Sequence, residues 1–431
     1  MMPTVLAYTS PAMGHLFPLM PLLLELRARG HRVHVRTLAS QVGMVRAQGL
    51  EAEPIDPRIE AITLDDYAAN GPVQALSAFA ETVSERGAFD APDLLSAARS
   101  VRPDATIVDI NSWGALCAAE ALGGAWTSFS PFSPSLRSHA VPPFGPGLAP
   151  MAGPLGKARD ALVRRLTIGA VEKAFMPRLT LLRAAQGLGP VRDTDAFFRR
   201  SPLLLVMTAE PFEYPRPDWG ENVRLIGALP WEPPAPTPRW VEDPGDPFVL
   251  VTTSSEYQAD ESLARAAVEG LGGEPYRVVV TMPAAAADLG PLPPNVRVER
   301  FIPHGPILER AAVAVTHGGM GATQKALAAG VPCVVVPFGR DQLEVAARVV
   351  HSGAGVRIAK GKLSPERLRE AVHRAVGLAD GARRVAAGYR AAGGALAGAD
   401  AVEALVGATS PDGQKLHSSG PEAASEGSHR P

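Results

Sequence analysis

Short apolar runs alternate with longer helical segments along most of the chain, and the alternation is the same in its two halves. Apolar runs of this length, each followed by a helix, are typical of strands in parallel sheets covered on both faces. The pattern predicts an α/β protein with two nucleotide-fold domains that face each other. The predicted strands are "TVLAYTS" (4–10), "HRVHVRT" (31–37), "DATIVDI" (104–110) and "AWTSFSP" (125–131), then "FVLVTTSS" (248–255), "YRVVVTM" (276–282), "VRVERF" (296–301), "AVAVTH" (312–317) and "PCVVVPF" (332–338).

Changes in composition predict the domain boundaries. Residues 1–215 and 247–392 carry the two alternating patterns, and 216–246 is dense in proline without periodicity, which is typical of a linker. A C-terminal helix is predicted over 393–407, with the N-terminal domain as a candidate surface for it to pack on. Residues 408–431 are polar and rich in glycine, serine and proline, so we expect a disordered tail.

Composition narrows the functional classes. The 431 residues are 46% hydrophobic and 20% charged, as in a globular protein, and the formal net charge of −2 argues against a broad contact with nucleic acid. The apolar stretch "LFPLMPLLLEL" (16–26) holds two prolines and is too short to span a membrane. Both cysteines, Cys117 and Cys333, lie in apolar segments, so we expect no disulfide and a reducing cytoplasm.

The strand "AVAVTH" runs into the turn "HGG" (317–319), and a helix is predicted directly after it. One interpretation is a strand–turn–helix joint in which the histidine is only a cap. The other is an anion site, because bare amides and a helix N-terminus offer partial positive charge to a phosphate. Two further strand ends favour the anion site, since "FIPHGPIL" (301–308) brings an aromatic ring and "PFGRDQ" (337–342) brings an acid and an amide to the same edge.

The stretch "FIPH" (301–304) and the stretch "HGGMGATQKALAAGVPCVVVPFGRDQLEVAARVVHSGAGV" (317–356) together resemble the nucleotide-sugar signature of the family-one glycosyltransferases. In sequence, these stretches most resemble the actinobacterial natural-product members, and "SPAMGHLFPLMPLLLELRARGH" (10–31) is similar to the family's N-terminal segment. The resemblance covers most of residues 3–405. It implies the GT-B fold, in which two Rossmann-like domains with parallel sheets enclose a cleft. It also implies a co-substrate, a nucleotide diphosphate sugar, and no other cofactor.

The resemblance implies a role for each of several residues in donor binding. Phe301 would stack on the pyrimidine base, Ile302 would bind the base through its backbone, and His304 would lie near the pentose. Asp341 and Gln342 would bind the hydroxyls of the sugar. The diphosphate would lie against Ser255, His317, Gly318, Gly319, Gly321, Ala322 and Thr323.

Two positions depart from the family pattern. Ala322 stands where many relatives have a hydroxyl for the phosphate, so a hydrogen bond worth about 1.5–3 kcal/mol is missing unless Thr323 supplies it. Lys325 stands where many relatives have a glutamate that binds both ribose hydroxyls, and a lysine has no acceptor. We therefore favour a thymidine diphosphate deoxysugar (dTDP-sugar) over a uridine diphosphate sugar (UDP-sugar). A solvated Lys325 that says nothing about the donor is the open alternative.

The N-terminal half offers a catalytic base. His15 follows the first predicted strand, in "SPAMGHLFP" (10–18). An acceptor hydroxyl is a poor nucleophile at neutral pH, and a histidine titrates in the range that suits a general base. Asp109, which ends "DATIVDI", lies where the family keeps an acidic partner, and such a carboxylate fixes the imidazole tautomer. A helix cap and a turn former are the competing interpretations of these two residues.

Long, mostly uncharged loops in the N-terminal half suit a hydrophobic aglycone such as a polyketide, a phenol or a macrolactone. They are "DDYAANGPVQALSAFA" (65–80) and "SFSPFSPSLRSHAVPPFGPGLAPMAG" (128–153). Ordinary packing is the alternative for every aromatic ring in them. The candidate acceptor contacts are Tyr67, Phe79, Phe129, Phe132 and Phe144.

These features predict an inverting, metal-independent hexosyltransferase of antibiotic biosynthesis, without stable membrane insertion and with a homodimer left open. No cluster of histidines and cysteines with metal-ligand spacing is present. The open alternatives are a UDP-glucose-dependent transferase of phenols, a nucleotide-sugar epimerase, a lipid-linked-sugar transferase and a degenerate relative that binds a nucleotide sugar without transfer. A dinucleotide dehydrogenase is disfavoured, because no G-x-G-x-x-G follows the first strand of either half.

Overall fold

A computed structural model describes residues 3–64, 69, 71–255, 258–284 and 288–409. The predicted acceptor residue Tyr67 and nearly all of the predicted tail, 410–431, lie outside these ranges. In the described part, the N-terminal sheet is built from β1 (Thr4–Tyr8), β2 (Arg32–Thr37), β3 (Glu51–Pro54), β4 (Ala105–Asp109), β5 (Ala125–Ser130), β6 (Leu204–Val206) and β7 (Val223–Leu225). These seven strands are parallel, in the order β3-β2-β1-β4-β5-β6-β7.

Helices cover both faces of this sheet because its strands are apolar on both sides. Along β1, Val5 and Ala7 join one core layer while Leu6 and Tyr8 join the other. The helices of this half are α1 (Met13–Ala28), α2 (Val42–Ala47), α3 (Pro57–Ala61), α4 (Pro72–Val101), α5 (Trp113–Leu122), α6 (Gly153–Ala185) and α7 (Thr194–Phe198), with α8 (Arg239–Glu242) in the segment between the domains.

The C-terminal sheet repeats this plan. Its described strands are β8 (Phe248–Thr252), β9 (Arg277–Thr281), β10 (Val296–Glu299), β11 (Ala311–Thr316), β12 (Cys333–Val335) and β13 (Gly355–Arg357), parallel in the order β10-β9-β8-β11-β12-β13. The helices are α9 (Glu261–Leu271), α10 (His304–Leu308), α11 (Met320–Ala328), α12 (Gln342–His351), α13 (Pro365–Val376), α14 (Ala379–Ala391) and α15 (Gly394–Thr409). The prediction of two parallel α/β sheets is confirmed.

The proline-rich segment 216–246 is more than the linker that the sequence predicted. Its strand β7 pairs with β6, with Leu204 opposite Val223, and extends the N-terminal sheet to its edge. A three-residue edge strand between prolines and glycines carries no hydrophobic period, so the pattern along the chain does not reveal it.

The last two helices connect the two domains. Together they form Ala379–Thr409, within the described chain the one stretch that is long and apolar enough to cross a membrane by length and composition. In the structure their apolar faces pack on protein instead. Tyr389 of α14 lies in the C-terminal core, whereas Ala399 and Val402 of α15 lie in the N-terminal core against α1.

Each sheet has one point at which the order of strands reverses, and we call it the switch point. It lies between β1 and β4 in the N-terminal sheet and between β8 and β11 in the C-terminal sheet. In open parallel sheets, the loops at the carboxyl ends of these strands diverge and leave a crevice for ligands. Both switch points therefore identify where a site is expected.

Candidate active site

His15 and Asp109 meet at the N-terminal switch point. His15 lies in the first turn of α1, and Asp109 is the last residue of β4. Nδ1 of His15 is 2.7 Å from Oδ2 of Asp109, whose side chain is fully buried. The other carboxylate oxygen accepts a hydrogen bond from the backbone N–H of Asn111 at 2.8 Å. A carboxylate held in this way fixes the Nδ1–H tautomer and makes Nε2 the basic nitrogen, as a general base requires.

Phe132 lies beside this pair. Its ring meets the His15 imidazole edge to face, with the two centroids 5.8 Å apart. Phe144 is partly buried in the same loop, 131–152, after β5. Phe132 therefore lies next to the histidine for which the sequence predicted the role of base.

Two other aromatic candidates belong to the core. Phe129 is fully buried within β5, so the structure corrects its predicted role as an acceptor contact. Phe79 on α4 is partly buried, and its ring centroid lies 6.4 Å from that of Trp113 and 6.0 Å from that of Phe175. Phe129 supports the sheet, whereas an acceptor contact by Phe79 stays a prediction.

Glycines shape the turn after β11, residues 317–321, which we call the diphosphate turn. Gly318 has φ +93°, and a Cβ there would lie 2.9 Å from Cβ of Gln342. A Cβ on Gly319 would lie 2.3 Å from Nε2 of His317, whereas Gly321 faces open space. The imidazole therefore lies directly over the N-terminus of α11, whose amides and dipole attract anions.

His317 is neutral in this setting. Its side chain is buried, and its Nδ1 lies 3.4 Å from the carbonyl oxygen of Thr252 at the end of β8. Burial lowers the pKa of His317, and this effect outweighs the opposing influence of Asp260 and of the Thr252 carbonyl. An anion at the turn would supply the counter-charge that the imidazolium lacks here.

Thr323 does not replace the missing hydroxyl at Ala322. It is fully buried, and its Oγ1 lies 3.1 Å from Oγ1 of Thr316 within the joint between β11 and α11. The Thr316 hydroxyl also accepts a hydrogen bond from the N–H of Gly318 at 3.2 Å. The structure therefore corrects the predicted role of Thr323 in diphosphate binding, because its hydroxyl serves the turn itself.

The predicted base-binding residues differ in exposure. The Phe301 side chain is 56% exposed, as a ring that stacks on a ligand needs to be, whereas Ile302 is buried in the C-terminal core. Ser255 is exposed just after β8, across the switch point from His317. Oγ1 of Thr281 lies 3.3 Å from Nε2 of His304, which orients that imidazole.

Glu232, which the sequence analysis missed, lies against Lys325. Its Oε1 is 2.8 Å from Nζ of Lys325, and its Oε2 accepts from the backbone N–H groups of His304 and Gly305 at 2.9 and 3.1 Å. Burial and the charge of Lys325 together lower the pKa of His304 to about 4. Lys325 is thus not a solvated residue. A lysine at a position where many relatives have a glutamate was the signal that an acidic partner was to be expected elsewhere in the chain.

Asp341 and Gln342 begin α12 but have different surroundings. Gln342 is buried, its Oε1 accepts from the N–H groups of Phe338 and Gly339, and its Nε2 donates to Gln258 at 2.5 Å. Its amide therefore organises its own loop, which corrects the predicted contact with sugar hydroxyls. Asp341 is partly exposed.

The Asp341 carboxyl links the two switch points. Burial raises its pKa, and the charges of Arg340 and His15 oppose that rise. The two domains also meet here, because Phe132 lies against His15 while Gly145 and Gly147 of the same loop donate to Glu344 on α12, the helix that begins after Asp341. The side chain expected to hold the sugar and the side chain expected to act as base thus belong to one cleft.

The cleft presents imidazoles and helix-terminal amides beside the carboxyls of Asp109, Glu232 and Asp341. The imidazoles and the amides are the groups that suit an anionic ligand. Over the ranges that the structure describes, no group of three or more histidine, cysteine, aspartate or glutamate side chains is arranged to hold a metal ion. The amides at the start of α11 are the groups placed to meet a diphosphate.

Comparison with known proteins agrees with this geometry. Residues 267–399 match the family model described as "Erythromycin biosynthesis protein CIII-like, C-terminal domain". The chain is 35% identical to 4'-demethylrebeccamycin synthase of Lentzea aerocolonigenes over 386 aligned residues. The alignment covers 85% of this chain and 90% of that protein.

Solved structures show the same fold. The glycotransferase of kitacinnamycin superposes with a TM-score of 0.69 at 25% identity, over 94% of this chain and 99% of that one. The glycosyltransferase VinC in complex with DTDP gives a TM-score of 0.69 at 22% identity, again over 94% and 99%. The family resemblance and the GT-B fold expected from the sequence are confirmed. The chain belongs to the family-one natural-product glycosyltransferases, and it is a glycosyltransferase enzyme.

Proposed function

We propose that this enzyme moves a sugar from a nucleotide diphosphate donor to a hydrophobic natural-product aglycone, with inversion at the anomeric carbon. His15 is the general base and Asp109 is its partner. The proposal rests on one observation above the others: His15, bonded to Asp109 at 2.7 Å, lies against Phe132, whose loop is hydrogen-bonded to α12 directly after the donor-side Asp341. A base and a sugar-binding acid on the same cleft are what a direct displacement needs.

The reaction is a single displacement. Nε2 of His15 takes the proton of the acceptor hydroxyl while its oxygen forms a bond to the anomeric carbon. The bond between that carbon and the diphosphate oxygen breaks, and its electron pair leaves with the diphosphate. His317 and the first amides of α11 stabilise the charge that develops on this leaving group.

The donor is a dTDP-sugar in preference to a UDP-sugar. A carboxylate has about four lone-pair sites for hydrogen bonds. On Glu232, Lys325 Nζ and two backbone N–H groups already occupy three of them. Glu232 can therefore accept about one further hydrogen bond. This suits a deoxyribose, which has no 2′-hydroxyl, better than a ribose, whose two hydroxyls would both need an acceptor. The VinC complex with DTDP is a protein of the same fold that binds this nucleotide.

Calorimetric titration with thymidine diphosphate and with uridine diphosphate tests the donor. We expect the thymidine nucleotide to bind several-fold more tightly, because the difference in binding free energy should be about that of one hydrogen bond. A clear preference for the uridine nucleotide contradicts this choice and favours the UDP-glucose-dependent alternative. Glu232→Gln is the informative variant, since it weakens the pairing with Lys325 and should reduce the difference between the two nucleotides.

A screen of dTDP- and UDP-sugars against aromatic and macrolactone aglycones, with mass detection, tests the reaction. We expect a product heavier by one sugar, and proton NMR of that product should show the anomeric configuration opposite to that of the donor. Retention of configuration would contradict a single displacement. Nucleotide binding without any transfer across the panel would favour a degenerate, non-catalytic relative.

The cytoplasm is the proposed compartment. Cys117 and Cys333 are both buried free thiols. Burial raises the pKa of Cys117 to about 12, so the reactive thiolate form is suppressed at neutral pH. Two inert, separate thiols suit a reducing environment.

A further inference from the structure

A buried ion network lies at the contact between the two domains. Arg348 on α12 is 1% exposed and reaches Glu213 of the N-terminal domain, with Nη2 and Oε1 3.0 Å apart. Its Nη1 donates to Oε2 of Glu344 on the same helix at 2.8 Å. Arg216 joins the network, with its Nη2 3.1 Å from Oε1 of Glu213. Burying these four charges has a large desolvation cost, so such a network is weak evidence for stability and raises the question of another role.

Glu344 also reaches into the loop 131–152 of the N-terminal domain. Its Oε1 accepts hydrogen bonds from the backbone N–H groups of Gly145 and Gly147, both at 2.8 Å. Gly147 has φ +61°, and a Cβ there would lie 2.3 Å from the carbonyl oxygen of Leu343. The backbone of the loop therefore lies directly on the first turn of α12.

The two sides of this contact belong to different substrate sites. On the loop side, Phe144 precedes Gly145, and Phe132 of the same loop lies against His15. On the helix side, α12 begins directly after Asp341. One carboxylate thus connects the segment that carries candidate acceptor contacts to the helix whose start faces the donor sugar.

We propose that Glu344 is a positioning residue that holds residues 144–147 on the first turn of α12 and so assembles the acceptor side of the cleft beside the donor sugar. This role rests on the proposed function. An ionised acceptor binds two amides more strongly than a neutral one, and the second oxygen is kept in place by Arg348. Both oxygens of the carboxylate are used, so the geometry is specific.

Glu344→Gln tests the contact directly. The carboxamide keeps the size of the side chain but places an NH₂ donor towards either Arg348 or the two glycine amides, so one contact is lost. In hydrogen–deuterium exchange of the full-length protein, we expect peptides that contain residues 144–147 to exchange about tenfold faster or more. Unchanged exchange in these peptides would overturn the proposal.

Gly147→Ala gives an independent test without a change of charge. Its Cβ cannot fit against the Leu343 carbonyl, and its positive φ is unfavourable for alanine. We expect the same faster exchange in the loop. Normal exchange in this variant would show that the loop does not depend on its contact with α12.

A kinetic comparison separates positioning from a merely structural role. With dTDP-glucose as the donor and 7-hydroxycoumarin as the probe acceptor, Glu344→Gln should raise the acceptor KM about tenfold. The dissociation constant of thymidine diphosphate should stay unchanged. An equal loss for both substrates, accompanied by a lower Tm, would contradict a positioning role.

Glu120→Gln is the matched control. Glu120 on α5 is a partly buried carboxylate that pairs with Arg183 at 2.6 Å and with Arg200 at 2.7 Å, both within the N-terminal domain. This variant loses a comparable ion pair and should leave the acceptor KM unchanged. If the wild-type protein binds neither nucleotide, the proposed function fails, whereas the exchange measurement still decides the role of Glu344.

Discussion

The two switch points of this molecule are built alike but surround their imidazoles with different partners. In the N-terminal sheet, His15 follows β1 and Asp109 ends β4. In the C-terminal sheet, Ser255 follows β8 and His317 follows β11. In the order of strands, β8 corresponds to β1 and β11 corresponds to β4. Each half thus presents one imidazole at the carboxyl edge of its central strands.

The partner of each imidazole sets its chemistry. His15 has a carboxylate oxygen at 2.7 Å, which stabilises the imidazolium that forms when the base takes a proton. Nδ1 of His317 has a carbonyl oxygen at 3.4 Å instead, and burial lowers the pKa of this imidazole. In the proposed function, the first imidazole therefore accepts a proton from the acceptor, and the second meets the anionic diphosphate.

His15→Ala should have the largest effect. Without the base, we expect kcat to fall by about a hundredfold or more, because a general base contributes about 10²–10⁴. The affinity for thymidine diphosphate should persist, since His15 lies in the other domain. Steady-state kinetics and calorimetry measure the two quantities. The control is His31→Gln, which removes a side chain bonded to Glu403 outside the cleft and should leave kcat near normal.

Near-normal turnover in His15→Ala would exclude His15 as the base. It would also remove the distinction between the two imidazoles, because neither would then carry the proton transfer.

Asp109→Asn tests the partner alone. The amide keeps the shape but cannot stabilise an imidazolium as a carboxylate does, so we expect kcat to fall by about tenfold to a hundredfold, less than in His15→Ala. The double variant should be no slower than His15→Ala alone, because the two residues act as one unit. Additive losses in the double variant would show that Asp109 acts independently of His15.

Replacing His317 should have the smallest effect of the three substitutions, and it should change how nucleotide affinity depends on pH. Burial lowers its pKa, so the imidazole is neutral at pH 7 in the free protein. A bound diphosphate favours the imidazolium, and binding therefore takes up a proton and strengthens as the pH falls towards the lowered pKa of the free imidazole. Titration in buffers of different ionisation enthalpy measures this uptake. In His317→Gln the uptake should vanish, and affinity should fall roughly tenfold.

Proton uptake that persists in His317→Gln would assign it to another group. His304 is the first alternative, because burial and Lys325 hold its pKa at about 4 in the free protein.

The elements that the sequence predicted are those with a local signal. Parallel strands buried on both faces appear as continuous apolar runs, so β1, β8 and β11 could be recognised directly. The strand β7 carries no such run, because it is three residues long at the edge of a sheet.

Side-chain roles were harder to predict because they depend on tertiary contacts. Phe129 and Phe132 are three residues apart, yet the first lies in the core and the second against His15, as the end of β5 dictates. The hydroxyl of Thr323 and the amide of Gln342 are satisfied within their own loops. Glu232 lies 93 residues before Lys325, so no local pattern pairs them.

A crystal structure with thymidine diphosphate tests the central claim most directly, namely that a base from one domain and a diphosphate site from the other face one cleft. We predict that the diphosphate hydrogen-bonds the first amides of α11 beside His317, with its terminal phosphate directed towards His15. A nucleotide bound elsewhere, or with its terminal phosphate directed away from His15, would contradict the account.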